Sequence, residues 1–450
     1  MLFIHISDIH FKRKEAGQPD DPNRALRNDI VRDVQEMRAR IGRNADGILI
    51  SGDIAYHGVK EEYDFAYKWL EVELCPAAGC SIEGVFVVPG NHDVDRSKEA
   101  GPAQAAARTA LRTIDASKVD DEIRAYMRDK VSADVIFGPL EDYNRFAAKF
   151  LCALRPYAEA EPANTFNDTT GPKPERPAAL PYAYREVELS DGSCLAMWGF
   201  STVIVSDKFD AKDKMLVDPA AAQIEVKDGV THLVMCHHPF SWLRNGQPFE
   251  DRINDVAKIQ LFGHEHTQRL DEGKRRLRVR AGALQPERDE KDWKPGYNWL
   301  DIDVSTDGAS RNLVINAWVR LHEGNQFIAI PDPDKKEVWQ NSLSLPTWTA
   351  PAKITKQKTS QEALSQSPEV SMASQQPPVT VRSVTIKIFK LKEHEQRRVI
   401  SELELYREGD RDLRDYEQAI NAVRRSKAEG RLEELDKAID ELLERGVNKQ

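Results

Sequence analysis

Residues Val85 to Val88 form an apolar run that Pro89-Gly90 stops, and an amide, an imidazole and a carboxylate follow at once in Asn91-His92-Asp93. A buried strand broken by Pro-Gly delivers those polar groups at its carboxyl edge. In open α/β sheets that edge is where ligands bind. The construction recurs along the chain. Leu2 to Ile6 leads into Ser7-Asp8-Ile9-His10, and Gly47 to Ile50 into Ser51-Gly52-Asp53. Thr231 to Cys236 runs into His237-His238-Pro239, and Ile259 to Phe262 into Gly263-His264-Glu265-His266. Apolar runs of strand length, each tipped by polar side chains and alternating with helical segments, predict a layered α/β sheet.

The first two connections read as helices, amphipathic over about 23–40 and rich in Tyr, Phe and Trp over about 60–74. From about 96 to 181 the character changes. Helical stretches at about 102–114, 119–130 and 140–154 precede a loop rich in Pro, Asn and Thr. This is an insertion, read either as a cap beside the strand tips or as peripheral packing. Strands resume at 182–189 and 194–200 and continue to about 319. Residues 331–380, rich in Pro, Ser, Gln and Lys, read as a flexible linker. Order returns over 381–450, where Leu413, Tyr416, Ile420 and Val423, then Leu432, Leu435, Ile439 and Leu442, recur at helical spacing. Gly409 and Gly430 break the run, which predicts a small bundle of short helices. The domains are therefore 1–330, the linker, and a helical interaction domain at 381–450.

Composition narrows the function. The net charge of −10 gives no broad basic footprint for nucleic acid. Arg276, Arg278 and Arg280 share one strand face, either a solvated surface or a local nucleic-acid strip. Five scattered cysteines suit reduced thiols and a cytosolic compartment. No apolar run reaches membrane-spanning length, and the first strand runs straight into Asp8 and His10, leaving no room for a cleaved leader. Cytoplasmic is the expected location, with no membrane contact.

Collected in order, the strand tips give Asp8, His10, Asp53, Asn91, His92, Asp93, His237, His264 and His266. Mixed oxygen and imidazole donors suit Mn²⁺, Fe or Zn²⁺ rather than Ca²⁺. Two cations side by side need a carboxylate between them, and Asp53 on a central strand can bridge. The sequence Asp8-x-His10, Gly52-Asp53, Gly90-Asn91-His92-Asp93, His237 and Gly263-His264-x-His266 resembles the calcineurin-like metallophosphoesterase superfamily over about 1–320. That resemblance implies an α/β/β/α sandwich and two divalent metal ions, manganese first and Fe or Zn next. It implies one ion on Asp8, His10, Asp53 and His266, and the other on Asp53, Asn91, His237 and His264. It further implies a bridging hydroxide as nucleophile, with His92 facing the leaving group and Asp93 orienting its ring. His238 is expected just outside the ligands, and His57 and Arg13 are candidates to touch substrate. His5, His232, His322 and His394 fall outside the pattern.

Substrate class is read from departures. Protein phosphatases of the superfamily carry G-D-x-x-D-R-G, whereas this chain has Gly52-Asp53-Ile54-Ala55-Tyr56-His57-Gly58. The His237-His238-Pro239 turn is similar to cyclic-nucleotide phosphodiesterases, and Gly263-His264-Glu265-His266 also occurs in nuclease members. The expectation is a phosphodiesterase acting on a nucleotide or nucleic acid. The alternatives are a small-molecule phosphomonoesterase and a non-catalytic binding protein on the same scaffold. Leu405-Tyr406-Arg407-Glu408-Gly409-Asp410 and the 428–435 segment resemble the death-like adaptor domains of bacterial conflict systems. This implies an effector enzyme that meets a protein partner, or itself, through 381–450.

Overall fold

A computed structural model describes residues 1–154, 181–285, 294–308, 310–350 and 378–447. The chain opens with β1 (Leu2–Ile6), α1 (Arg24–Ile41), β2 (Gly47–Ile50), α2 (Lys60–Trp69), α3 (Cys75–Ala78) and β3 (Phe86–Val87). Helices α4 (Arg96–Glu99), α5 (Pro102–Thr113), α6 (Val119–Arg128), α7 (Lys130–Phe137) and α8 (Glu141–Ala148) follow. Then come β4 (Tyr182–Glu188), β5 (Cys194–Phe200), β6 (Val230–Cys236), α9 (Gly246–Val256), β7 (Ala257–Phe262), β8 (Arg269–Glu272) and β9 (Leu277–Arg280). Next are β10 (Gly296–Asp307), β11 (Ser310–Glu323), β12 (Gln326–Ile330) and β13 (Trp339–Leu345). Helices α10 (Val381–Ile388), α11 (Glu393–Glu402), α12 (Asp415–Ala428) and α13 (Leu432–Val447) complete the chain.

Two sheets form the α/β sandwich. One runs β12-β11-β10-β1-β2-β3 with β13 also on β11, and the other runs β4-β5-β6-β7-β9-β8. Strands β1, β2 and β3 are mutually parallel, as are β5, β6, β7 and β9. Alternation along β5 explains the layering. Leu195 and Met197 join the core shared with the first sheet, while Ala196, Trp198 and Phe200 pack outward on Phe249 and Ile253 of α9. The sheets approach closely, for a Cβ on Gly199 would lie 2.6 Å from Val88 Cγ1. Parallel order brings the carboxyl ends of β1, β2, β3, β6 and β7 to one edge.

Three expectations change. The linker does not begin at 331, because β13 pairs antiparallel with β11 from Arg311↔Leu345 to Ala317↔Trp339. Polar residues on its outward face hid a strand in which Leu343 and Leu345 are buried; the rest of the predicted linker, 351–377, lies outside the described residues. The single helix expected over 60–74 instead widens into a π-helical turn at Leu70–Leu74 before α3. Pro76 would collide with the carbonyl four residues back in a straight helix, and the wider turn avoids this. Inside the insertion, α7 was not anticipated. The loop expected up to 181 falls largely on residues outside those described.

The carboxyl-terminal helices have their own core, including Val384, Ile388, Val399, Val423, Leu435 and Ile439. The expected stripe on α12 is divided. Val423 enters that core, whereas Tyr416 and Ile420 pack on Ala148 of α8. The bundle is thus both self-supporting and docked on the insertion.

Candidate metal centre

The strand tips converge. Asp8, His10, Asp53, His264 and His266 all have positive φ, between 51° and 70°. Side chains with a Cβ adopt that region at a cost of about 1–3 kcal/mol each, and such strain concentrates where a site holds its residues in place. Gly52, at φ 104°, also sits close to the site: a Cβ there would lie 2.5 Å from His237 Nδ1 and 2.8 Å from Gly90 N.

Asp53 stands at the centre, 1 % exposed. Its Oδ2 lies 3.1 Å from His10 Nε2 and 3.4 Å from His237 Nε2. Asn91 Oδ1 lies 3.1 Å from both His237 Nε2 and His264 Nδ1. Asp8 Oδ1 lies 3.3 Å from His266 Nε2. Donor atoms on one ion at about 2.1 Å and 90–110° sit about 3.0–3.4 Å from one another, so this spacing suits shared coordination. Asp53 Oδ2 faces a histidine of each expected set, the position a bridging carboxylate must take. The trios Asp8/His10/His266, His10/Asp53/His92, Asp8/Asp53/His237 and His237/His238/His264 each bring ligand atoms within 4.8 Å of one another.

The electrostatics agree. Among the described residues, Asp8 and Asp53 pair with imidazoles and backbone N–H groups. Burial opposes ionisation of Asp53, but His237, His92 and His10 hold its carboxyl well below the usual range. Burial likewise opposes the charge on His237, and Asp53 and Asp8 outweigh it to push the imidazole up to about 9. Burial and then His237 press His264 down to about 3, leaving a neutral ring able to ligate. Two buried carboxylates ringed by histidines form a donor set that fits divalent cations.

Around this centre the other expected residues separate. His92 lines the adjoining cavity, and its Nδ1 lies 3.0 Å from the Tyr56 carbonyl oxygen. A carbonyl only accepts, so Nδ1 carries the proton. The tether expected of Asp93 is thus made by Tyr56, whose ring also packs on His92 at 4.9 Å between centroids. Asp93 instead accepts from the N–H groups of Ile54, Ala55 and Gly90 and from Tyr63 Oη, fastening the Asn91-His92 turn to the loop after Asp53. Burial and the nearby Asp53 charge raise its carboxyl to about 6. His238 is fully buried with Nδ1 2.9 Å from Thr202 Oγ1, and its ring is 4.3 Å from that of His264. His57 pairs with Glu62 at 3.0 Å, and Arg13 is exposed; neither lines the cavity.

The cavity encloses about 1260 Å³ beside Asp53, Asn91, His92, His264 and His266. Beyond them its walls include Lys212, Trp242, Gln268, Arg269, Arg280 and Lys294. Sequence reasoning missed Trp242, although it lies four residues after His238, and Gln268, two after His266. The arginine strip is divided: Arg278 is tied to Gln260 and Glu250, while Arg280 reaches the cavity and pairs with Glu265 at 2.7 Å. Among the described residues, the insertion supplies no lining side chain to this cavity. Arg108 and Arg112 of α5 pair with Asp207 at 2.9 and 2.8 Å, fixing the insertion to the loop after β5.

Comparison with known proteins extends this. The profile of the family described as calcineurin-like phosphoesterase matches residues 1–268, which include every proposed ligand. A second, the GTPase-associated adaptor domain, matches residues 380–441. Curated proteins give no match. Solved structures that align include zinc-complexed wild-type Vps29 from Entamoeba histolytica, at 11 % identity over 76 % of this chain and 99 % of that one, TM-score 0.26. A 5'-nucleotidase from Candida albicans aligns at 12 % identity over 67 % of this chain and 48 % of that one, TM-score 0.31. A predicted phosphoesterase from Streptococcus pneumoniae aligns at 13 % identity over 76 % and 97 %, TM-score 0.25. Among the described residues no helix is long and apolar enough to cross a membrane.

Proposed function

This chain belongs to the calcineurin-like phosphoesterase family, and from that premise we propose that it is a metal-dependent phosphodiesterase acting on a nucleotide or nucleic acid. Asp8, His10, Asp53 and His266 would hold one divalent cation, and Asp53, Asn91, His237 and His264 a second, manganese being the first choice. When bound, the pair supplies Lewis acidity and positive charge at the phosphate. The remaining work falls to the chain. The Tyr56 carbonyl fixes the His92 ring through Nδ1–H, leaving Nε2 to exchange a proton with the leaving oxygen. Burial outweighs the Asp53 charge and lowers the ring's affinity for a proton, so a proton held there is readily given up to a leaving oxygen. The Asp93 carboxylate holds that ring's own turn in register.

The observation that carries the diester reading is the cavity. Its roughly 1260 Å³ extends from the ligands to Trp242, Arg269 and Arg280, far more room than a terminal phosphate needs. An aromatic ring with guanidinium groups suits a base and a second ester arm. Purified protein loaded with Mn²⁺ should hydrolyse an activated phosphodiester faster than the matching monoester. Preference for the monoester would replace this reading with a small-molecule phosphatase. The adaptor match supports one further part: the bundle brings the chain to a protein partner, as an effector in a bacterial conflict system would require. A chain cut within 351–377 should still hydrolyse the diester, within about tenfold of the full chain, and lose co-purification of that partner.

A further inference from the structure

We propose that Tyr63 is a positioning residue for the His92 turn, and that docking of the helical bundle on α8 holds Tyr63 in place, so that bundle attachment sets the turnover rate. This rests on the hydrolase reading above.

The physical chain is short. Tyr63, on α2, is 2 % exposed, and its hydroxyl donates to Asp93 Oδ1 at 2.9 Å. The other donors to that carboxylate are the backbone N–H groups of Ile54, Ala55 and Gly90, at 2.9 to 3.2 Å. Tyr63 is therefore the side chain that completes the fastening between the loop of Asp53 and the turn of His92. Its ring stacks on Phe146 of α8, centroids 5.2 Å apart and planes 27° apart. The segment leading into α8 also reaches the far side of the turn, where the Asp95 N–H donates to the Pro139 carbonyl at 2.9 Å.

The other side of α8 meets the bundle. Ala148 packs with Tyr416 and Ile420. Arg145 pairs with Asp415, and Arg414 pairs with Glu141 at 2.8 Å and with Asp134 at 3.1 Å. Between the two bodies lies a cavity of about 240 Å³ with Tyr63 and Phe146 on one wall and Phe389 and Leu391 on the other. One eight-residue helix thus touches the bundle and supports Tyr63. The seam is built of half-exposed ion pairs, a small apolar cluster and a void, so it can part without unfolding either side. A partner that takes the Arg414 and Tyr416 face from α8 loosens Tyr63 and slows turnover.

The test uses the full chain, with Tyr63→Phe, the seam pair Arg414→Ala with Tyr416→Ala, and all three together. Two readouts are taken: turnover of bis(p-nitrophenyl) phosphate with Mn²⁺, and hydrogen exchange of the Ile54, Ala55 and Gly90 amides without metal. Tyr63→Phe should lower kcat about tenfold, change KM less than about twofold, and speed exchange of those amides about tenfold, the scale of one lost hydrogen bond to a charged group. The seam pair should shift both readouts the same way by about threefold, and the triple variant should match Tyr63→Phe alone rather than multiply the effects. Seam variants that exchange and turn over like wild type, or a triple variant showing the full product, would overturn the coupling. Tyr63→Phe with unchanged exchange would overturn the positioning role. Wild-type protein inert toward every phosphoester would overturn the hydrolase reading, and the exchange data alone would then decide the positioning.

Discussion

The metal centre and the seam with the bundle are both assembled from opposite charges, yet they are built in contrary ways. At the centre, Asp8, Asp53 and His237 are at most 1 % exposed, and five left-handed residues aim the ligands. At the seam, the side chains of Arg145 and Arg414 are 30 % and 24 % exposed and their partners lie on helices. Buried charge of one kind has to be matched by a counter-charge, here the proposed metal ions or a proton on His237. Half-exposed charge is already matched by water, so its pairing adds little and is easily exchanged. The centre is therefore made to hold one geometry, and the seam to be reversible.

The largest test of the contrast strikes Asp53, the proposed shared ligand. Asp53→Asn should reduce kcat/KM by about 10³-fold or more, because it weakens both cation sites at once; steady-state kinetics on the activated diester reads this. A neutralised seam arginine should stay within about tenfold of wild type.

Next comes the packing beneath the ligands. A Cβ on Gly90 would fall 2.1 Å from Asp53 Oδ1 and 2.4 Å from Asp53 N. Gly90→Ala should cost about 4 kcal/mol in denaturant unfolding, at the high end for overpacking, since backbone has to move. Gly409→Ala in the bundle, where a Cβ would meet nothing within 4 Å, should leave the midpoint near wild type.

Acid separates the regions by burial. His232 is 4 % exposed, accepts from Trp198 Nε1 at 3.1 Å, and burial holds its imidazole down to about 4. Its folded value lies below the ordinary 6.5, so between those values the unfolded chain binds a proton that the folded chain refuses. Stability is then lost as pH falls from about 6.5 to 4, by up to about 3 kcal/mol. His232→Phe should flatten that loss in a thermal melt of metal-free protein. A slope the same in the variant would assign the acid lability elsewhere.

Salt gives the smallest effect and acts on the other region. Raising salt from about 0.05 to 0.5 M should weaken bundle docking by about 1 kcal/mol while leaving the catalytic domain's melting point in place. The distance between labels on the two bodies would report it.

These contrasts also explain what could be read from sequence. The convergence of the strand-tip residues was legible because each follows an apolar run of strand length, and parallel pairing then fixes which end all the tips share. Strand β13 was not legible, since its composition matches the linker beyond it and its identity depends on β11. The role of Asp93 could not be assigned to the turn rather than the ring, because Ile54, Ala55 and Tyr63 approach it, and Tyr56 approaches His92, from elsewhere in the chain. Tyr416 and Ile420 read as bundle core because helical spacing specifies a face and not what covers it. The choice between cap and peripheral packing for the insertion was not legible, because it depends on which loops its helices meet: Arg108 and Arg112 meet Asp207, and Arg145 meets Asp415.

The measurement closest to the central claim is metal stoichiometry. Manganese titrated into metal-free protein and followed by calorimetry, with elemental analysis of the product, should give two ions per chain. His264→Ala should retain one, and Asp53→Asn should retain at most one, weakly bound. A wild-type chain that binds no ion or a single ion, or an Asp53→Asn chain that keeps two at undiminished affinity, would contradict a dinuclear centre bridged by Asp53.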